Sequence, residues 1–156
     1  SNVTIALEGS TLFTGVNGSG KSTILDAMTY MLTGNTQFNK AALDRDRNVI
    51  SYVRGDTKSE GKNRFIREGE VTSYIAMEFF SPLEKQYLVV GVCIEYVNET
   101  SNTKKWFVFK DTRIEDCRFY TVKENEVTVY PRHELTVKGK KVPAGEYMST
   151  GASMRS

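Results

Sequence analysis

One short run of residues has the types and spacing needed to hold a phosphate group. Gly15-Val16-Asn17-Gly18-Ser19-Gly20-Lys21-Ser22 satisfies the pattern G-x-x-x-x-G-K-[ST]. Glycines let the backbone turn successive N–H groups inward around an anion, and the N-terminus of a following helix adds partial positive charge. The pattern therefore predicts a phosphate-binding loop over residues 15–22.

The polar residues of this loop have separate predicted roles. Lys21 should reach the β- and γ-phosphates of a nucleotide, and the Ser22 hydroxyl should ligate Mg²⁺. Thr23 follows as a capping residue or an α-phosphate contact. The complete set of predicted binding residues is Gly15, Asn17, Gly18, Ser19, Gly20, Lys21, Ser22 and Thr23. The expected ligands are ATP and Mg²⁺, with Ser22 on the metal.

The flanking elements are those that would position such a loop. Apolar side chains with the spacing of one helix face follow it: Ile24, Leu25, Met28, Met31 and Leu32. This spacing predicts a helix over 21–33, with Gly34-Asn35 as the signal for its C-cap. The β-type runs 3–7 and 11–14 predict two short strands before the loop. Asp26 is expected to be a solvated or sheet-edge residue of that helix.

The second half of the chain has a strand pattern. After a polar loop over 35–69, apolar residues alternate from residue 70 to 137 with short turns between runs, which predicts an antiparallel β-meander. One of these runs places Leu88, Val90, Val92, Ile94 and Tyr96 on one face. One strand should stop at Pro82, residues 117–130 should form a hairpin, and 134–137 a last short strand. The predicted fold class is α/β of the α+β kind: a single domain over 1–156 with one P-loop helix and a mostly antiparallel, β-rich sheet.

Composition narrows the class of protein. The chain has 156 residues, 39% of them apolar, and a formal net charge of +2. It contains no apolar run long enough to span a membrane and no secretory signal, so we expect a soluble, cytoplasmic protein without a membrane partner. Cys93 and Cys117 lie in alternating apolar runs and are expected to be core residues. The lack of an initiator Met and the unpatterned tail suggest a piece of a longer protein.

Two classes of nucleotide-binding protein fit poorly. A GTPase needs a base-reading N-K-x-D, but Asn39-Lys40-Ala41-Ala42 has Ala in place of the Asp. A small kinase would continue as alternating strands and helices, whereas here one helix precedes a long β-rich run. This order favours the first lobe of an ABC-type head.

A resemblance to a known family rests on two stretches. Residues 12–28, in which GVNGSGKST runs into an apolar helix that carries Leu-Asp-Ala, resemble the amino-terminal head of the SMC-like ATPases. Residues 43–55 and 73–79 resemble the bacterial condensin-type branch that includes MukB, MksB and JetC.

The resemblance implies a function that the chain would share with other components. It implies the ATP–Mg²⁺-binding, amino-terminal half of an ATPase head, with a carboxy-terminal half-head and a second head as partners in a homodimer. ATP hydrolysis by the complete protein would drive DNA loading or translocation, in chromosome organisation or plasmid defence, with accessory subunits in the bacterial cytoplasm. The sequence contains no LSGGQ-like string and no apolar run ending in Asp-Glu. No catalytic residue is identified, so the isolated chain is expected to be inactive.

The polar loop carries a local positive charge. Between residues 45 and 67 seven basic side chains stand against three acidic ones. Arg45 and Arg47 are the candidates for contact with DNA phosphates or a nucleotide, and an ordinary solvated loop is the alternative. Lys138, Lys140 and Lys141 form a second basic turn, for which a solubilising role is expected and assistance to DNA contact is the alternative.

Two other readings of the whole chain remain open. The first alternative is a self-contained P-loop nucleotide hydrolase or kinase of unrecognised type. The second is a β-rich structural module that binds little nucleotide when isolated. Trp106, Phe107 and Phe109 are expected in a core rather than on a base-stacking platform, and His133 at the surface without chemistry.

Overall fold

A helix and three long strands form the centre of the structure. The computed structural model describes residues 4–7, 11–12, 14–16, 21–34, 53, 69–98 and 101–149. Within these ranges the complete helix is α1 (Lys21–Thr33), and the long strands are β1 (Val71–Ser81), β2 (Gln86–Tyr96) and β3 (Asn102–Lys110). The short strands are β4 (Cys117–Arg118), β5 (Tyr120–Lys123), β6 (Glu126–Val129), β7 (Thr136–Val137), β8 (Lys140–Lys141) and β9 (Tyr147–Met148). The architecture is α+β with antiparallel sheets, as the sequence predicts.

The main sheet has the strand order β1-β2-β3-β9. Its first two strands pair without interruption from Val71 opposite Tyr96 to Ser81 opposite Gln86. β1 ends directly before Pro82, as predicted, because proline has no N–H to donate to a strand ladder. The sheet is therefore a continuous antiparallel meander through β3.

The two faces of this sheet enter two separate cores. On one face, side chains of β2 and β3 pack against the helix in a cluster of Tyr30, Met31, Val53, Val92, Ile94, Tyr96 and Trp106. On the other face, Val89, Phe107, Phe109 and Leu135 form the second cluster. The predicted common face of Leu88, Val90, Val92, Ile94 and Tyr96 is confirmed for the last four residues, which share the helix-side core. The predicted core role of Trp106, Phe107 and Phe109 is confirmed as well, since each is at most 7% exposed.

The segment after β3 covers the face of the sheet opposite the helix. It contains 3-10 turns at Ile114–Asp116, Arg132–Glu134 and Ala144–Glu146, and its short strands form the sheets β4-β7-β8 and β5-β6. Phe119, Leu135 and Tyr147 from this segment pack in the second core. The sheet is thus sandwiched between α1 and a layer of short β elements.

Two carboxylates of the sheet hold this layer in place. Glu78 on β1 lies 3.1 Å from the Arg113 guanidinium and accepts a hydrogen bond from the Ile114 N–H at 2.8 Å. The Arg113 hydrogen bond is the largest cause that lowers the pKa of Glu78. Glu95 on β2 repeats the arrangement with Arg132, at 3.3 Å to its guanidinium and 3.2 Å to its N–H. Each carboxylate therefore binds the side chain of an arginine and the backbone at the start of a 3-10 turn.

The short strands differ in part from the prediction. The hairpin lies at β5–β6, but Cys117 and Arg118 leave it and pair with Val137 and Thr136 of β7. The predicted strand 134–137 is limited to β7 because Glu134 belongs to a 3-10 turn. The hydrogen bond from the Lys138 N–H to the Asp116 carbonyl draws the start of β4 toward β7.

The two strands predicted before the loop are not found in the described residues. Residues 4–7, 11–12 and 14 have no strand conformation, and Ile5 and Leu7 are each 41% exposed. A strand needs a neighbour for its backbone groups, and the described part of the chain supplies none to these residues. The prediction of strands over 3–7 and 11–14 is therefore wrong for the described residues.

Both cysteines are free thiols with little reactivity. Cys93 is 1% exposed and Cys117 is half-buried. Burial is the main cause that raises the pKa of each thiol to about 12, so both stay protonated at neutral pH. The predicted core role is confirmed for Cys93.

Gly91 on β2 lies close to the backbone of β1 and to the ring of Phe107 in the second core. A Cβ atom at this position would lie 2.5 Å from the Ile75 carbonyl oxygen and 2.6 Å from Cζ of Phe107. The first atom belongs to the ladder of β1, and the second to a ring with no exposed surface. Neither atom can move without disturbing the sheet.

We expect Gly91→Ala to lower the free energy of unfolding by about 1–3 kcal/mol because it overpacks this contact. Urea denaturation measures the change. Gly145→Ala is the matched control, since a Cβ atom at Gly145 meets nothing within 4 Å. Its effect should stay within about 0.5 kcal/mol. Equal stability of the two variants would contradict the packing at Gly91.

Candidate functional site

The phosphate-binding pattern leads directly into the helix. Lys21 is the first residue of α1, and Ser22 and Thr23 in the first turn are exposed. Gly15 and Val16, the first two residues of the loop, are described, whereas Asn17, Gly18, Ser19 and Gly20 lie outside the described residues. The structure therefore confirms the predicted helix 21–33 and places the end of the pattern at its N-terminus.

The first turn of α1 is electrostatically suited to an anion. The N–H groups of a first helical turn have no partner within the helix, and the helix dipole places partial positive charge there. The first turn contains no acidic residue. A phosphate at this position would therefore meet backbone donors and the Ser22 and Thr23 hydroxyls without a competing carboxylate in that turn.

The C-terminal end of α1 is attached to the main sheet. The indole Nε1–H of Trp106 on β3 donates a hydrogen bond to the Met31 carbonyl oxygen at 3.3 Å. The Tyr30 ring packs against Trp106 with 5.9 Å between ring centroids, and the Lys104 Nζ lies 5.8 Å from the centre of the Tyr30 ring. These contacts join the helix that begins at the loop to the centre of the main sheet.

The helix ends in a glycine cap. Gly34 has a φ of +69°, and its N–H donates to the Tyr30 carbonyl at 2.7 Å. This left-handed conformation suits glycine and stops the helix after Thr33. The predicted Gly34 cap is confirmed.

The buried side of α1 differs from the predicted one. Met31 is fully buried, but Leu25 and Leu32 are 49% and 40% exposed. Asp26 and Tyr30 face inward in their place, at 6% and 2% exposure. Of the two alternatives for Asp26, the solvated one is wrong, and the role of a sheet-edge partner stays a prediction. The sheet contacts the side of the helix that carries Tyr30, because the Trp106 side chain binds the last turn there.

Tyr30 is an unusual residue of this contact. Its hydroxyl is buried and has no hydrogen-bond partner in the part of the chain that the structure describes. Burial, and to a lesser extent Tyr96, raises the pKa of Tyr30 to about 12. The sequence analysis did not single out Tyr30, although its position four residues after Asp26 placed both on one helix face.

Little of the polar loop is described. Arg45 and Arg47, the predicted nucleotide or DNA contacts, lie outside the described residues. Val53 is helical and 7% exposed, and it packs in the core with Tyr30 and Met31. Its place in the core was missed, and the apolar residues Val49, Ile50 and Val53 were the available signal.

The remaining candidates lie away from the loop. The side chain of His133 is 77% exposed and lies 3.9 Å from Glu134, which confirms its surface position. The ammonium group of Lys138 hydrogen-bonds the Asp111 carbonyl oxygen, while Lys140 and Lys141 are exposed. Among the described residues no group of three or more His, Cys, Asp or Glu could hold a metal ion.

Comparison with known proteins agrees with the position of this site. The family described as the P-loop containing region of AAA domain matches residues 1–45, which include the whole pattern and α1. No curated protein and no solved structure matches the chain. The match supports a P-loop NTPase-type domain and suggests nucleotide binding. Within the described residues no helix is both long and apolar enough to span a membrane.

We expect Tyr30→Phe to raise the free energy of unfolding at neutral pH by about 1 kcal/mol, because it removes a buried hydroxyl that has no partner among the described residues. The raised pKa adds a pH dependence. Below pH 10 Tyr30 is neutral in both states, whereas between pH 10 and 12 the unfolded state loses its proton first, so the folded state loses stability. The phenylalanine variant should not show this contribution.

Urea midpoints at about pH 8 and about pH 11 measure both effects. Tyr120→Phe is the matched control because the Tyr120 side chain is 39% exposed on the β5–β6 hairpin. An alkaline loss of stability equal in wild type and Tyr30→Phe would show that the Tyr30 hydroxyl does not carry it.

Proposed function

We propose that the chain is the ATP–Mg²⁺-binding half of an SMC-like ATPase head. The observation that carries this proposal is the G-x-x-x-x-G-K-S pattern whose Lys21 opens α1. The family match over residues 1–45 supports the same reading. Bound ATP would place its β- and γ-phosphates in the loop, with Lys21 as the neighbouring cation and Ser22 as the Mg²⁺ ligand.

The order of elements supports an ABC-type amino-terminal lobe. α1 is followed by three long antiparallel strands rather than by alternating parallel strands and helices. The sheet contacts the helix through Trp106 and Tyr30 and leaves the first turn exposed. Such a lobe would offer the bound phosphates to groups from elsewhere.

Two observations support a requirement for further components. Phosphoryl transfer needs a group that positions the attacking water and a clamp on the γ-phosphate, and the sequence carries no recognised acid for the first role. Apolar side chains in and near the loop are also exposed: Leu12 is 85%, Val16 79% and Leu25 49% exposed. A carboxy-terminal half-head that packs there would cover this surface, and a second head would complete the site.

The DNA-related part of the proposal rests on the resemblance. ATP hydrolysis in the complete protein would drive DNA loading or translocation. The basic loop around Arg45 and Arg47 would contact nucleotide or DNA phosphates.

We expect Lys21→Ala to weaken ATP–Mg²⁺ binding at least about 10-fold, because the variant loses the cation beside the phosphates. Calorimetric titration of the chain measures affinity, and phosphate release is followed on the same samples. Lys140→Ala, which removes an equal charge from an exposed strand, should bind as wild type does. Binding that needs Lys21, without phosphate release, agrees with a half-head.

Two other results would contradict the proposal. Phosphate release by the chain alone would show that a catalytic acid lies within these 156 residues. ATP affinity that is unchanged in Lys21→Ala, or no ATP binding by the wild type, would favour a β-rich structural module.

We expect the double substitution of Arg45 and Arg47 to Ala to lower ATP turnover or DNA affinity of the complete protein, because two cations are lost from the loop. DNA affinity is measured at two salt concentrations, since lost phosphate contacts flatten the salt dependence. Substitution of Lys140 and Lys141 to Ala is the matched control for charge. Unchanged turnover and DNA binding in the arginine variant would remove Arg45 and Arg47 from the site.

A further inference from the structure

The hairpin of β5 and β6 turns its apolar side away from the domain. Side chains along a strand point alternately to opposite sides. Phe119, directly before β5, packs in the second core, so Tyr120 and Val122 point away from that core. The exposures agree with this alternation, because Tyr120 and Val122 are 39% and 55% exposed, whereas Thr121 between them is half-buried.

Cross-strand pairing assembles these side chains into one apolar surface. Tyr120 lies opposite Val129, and Val122 lies opposite Val127. None of these four side chains belongs to either core, and Val127 is 42% exposed. We call the four side chains the hairpin face. The other side of the hairpin is polar and carries Thr121, Lys123, Glu126 and Thr128.

The hairpin face has no second layer in the described part of the chain. β5 and β6 form a sheet of their own, and within the described residues neither strand pairs with a third. A two-stranded ribbon gains stability when another layer packs on its apolar side, because that layer removes the side from water. The hairpin face is therefore a surface that a further layer would stabilise.

The two ends of the hairpin carry charges of opposite sign. At the turn, Lys123 lies directly opposite Glu126, so these charges offset each other and Glu124 is left as the net charge. At the base, the guanidinium carbon of Arg118 lies 5.4 Å from the centre of the Tyr130 ring. Within the described residues neither Glu124 nor Arg118 is in an ion pair. The turn is thus acidic and the base is basic.

We propose that the hairpin face binds the hairpin face of a second copy of this chain, with the two hairpins antiparallel. A two-fold axis through the face places the turn of each hairpin over the base of the other, so Glu124 of each copy meets Arg118 of the other. A parallel alignment would instead bring like charges together at both ends. Stacked sheets pack about 10 Å apart, and the apolar side chains of the two faces would fill that space.

The hairpin favours a second copy over other occupants. A nucleic acid or an anionic membrane would meet the Glu124 carboxylate at the turn. Pairing of two hairpins edge to edge would leave both hairpin faces in water.

The size of the hairpin face sets the expected strength of the contact. The face measures about 14 Å by 10 Å, which is less than the roughly 800 Å² that each partner contributes to a stable complex. We therefore expect a weak dimer. Two copies already held together elsewhere, as in the homodimer proposed above, would have effective concentrations up to about the millimolar range, at which a weak contact forms.

Sedimentation equilibrium of the nucleotide-free chain tests the proposal, so the outcome does not depend on ATP binding. We expect the weight-average mass to rise toward that of a dimer between about 10 μM and 1 mM. Val122→Lys should lower the association constant at least about 10-fold, because it places an unpaired charge between the two faces. Thr128→Lys is the matched control, since it adds the same charge to the polar side of the same hairpin, and it should associate as wild type does.

A charge exchange tests the antiparallel alignment. We expect Arg118→Glu and Glu124→Arg each to lower the association constant about threefold at low salt, because each single variant brings like charges together. The combination of the two substitutions should restore association, since opposite charges then meet again at both ends.

Three results would overturn the proposal. A mass equal to that of the single chain at every concentration would leave the hairpin face to a partner of another kind. Equal association of wild type and Val122→Lys would exclude the hairpin face from the contact. Weak association of the combined charge variant would contradict the antiparallel alignment. Urea midpoints check that each variant still folds, since Val122 lies outside both cores.

Discussion

The attachment of α1 to the centre of the main sheet is the constraint on which the candidate site depends. The phosphate-binding pattern is joined to the rest of the domain through this helix, and the Trp106 indole binds the carbonyl of its Met31. Tyr30 and Val53 fill the space around that hydrogen bond. The contact of the last turn with β3 fixes the direction of α1, and with it the direction of the helix dipole at the N-terminus, where an anion would bind.

The main sheet is itself held in position by contacts on the face opposite α1. Glu78 and Glu95 each bind an arginine and a backbone N–H of the layer of short elements. Phe107 lies between the layers without exposed surface, and Gly91 makes room for its ring. In this domain the charged hydrogen-bonded pairs join the sheet to the layer of short elements, and the apolar side chains fill the core between them.

Local sequence patterns predicted the features that depend on local geometry. The helix has the predicted bounds, since the capping signal at Gly34 and the apolar period act within a few residues. The break at Pro82 and the common face of β2 followed from the missing N–H and the two-residue period. Features that depend on a distant partner were not predictable in this way. The sheet, not the apolar period of the helix, determined that Tyr30 and Asp26 face inward while Leu25 stays exposed.

Trp106 also gives the domain an intrinsic fluorescence probe. It is the only tryptophan of the chain, and it is 6% exposed. Its indole N–H donates to the Met31 carbonyl in the last turn of α1, the helix that begins at Lys21. Indole emission depends on the polarity and hydrogen bonding around the ring, and Tyr30 is close enough to transfer excitation to it. The fluorescence of the unlabelled protein therefore reports on the junction between helix and sheet. Movement at that junction can be followed in real time without a foreign dye.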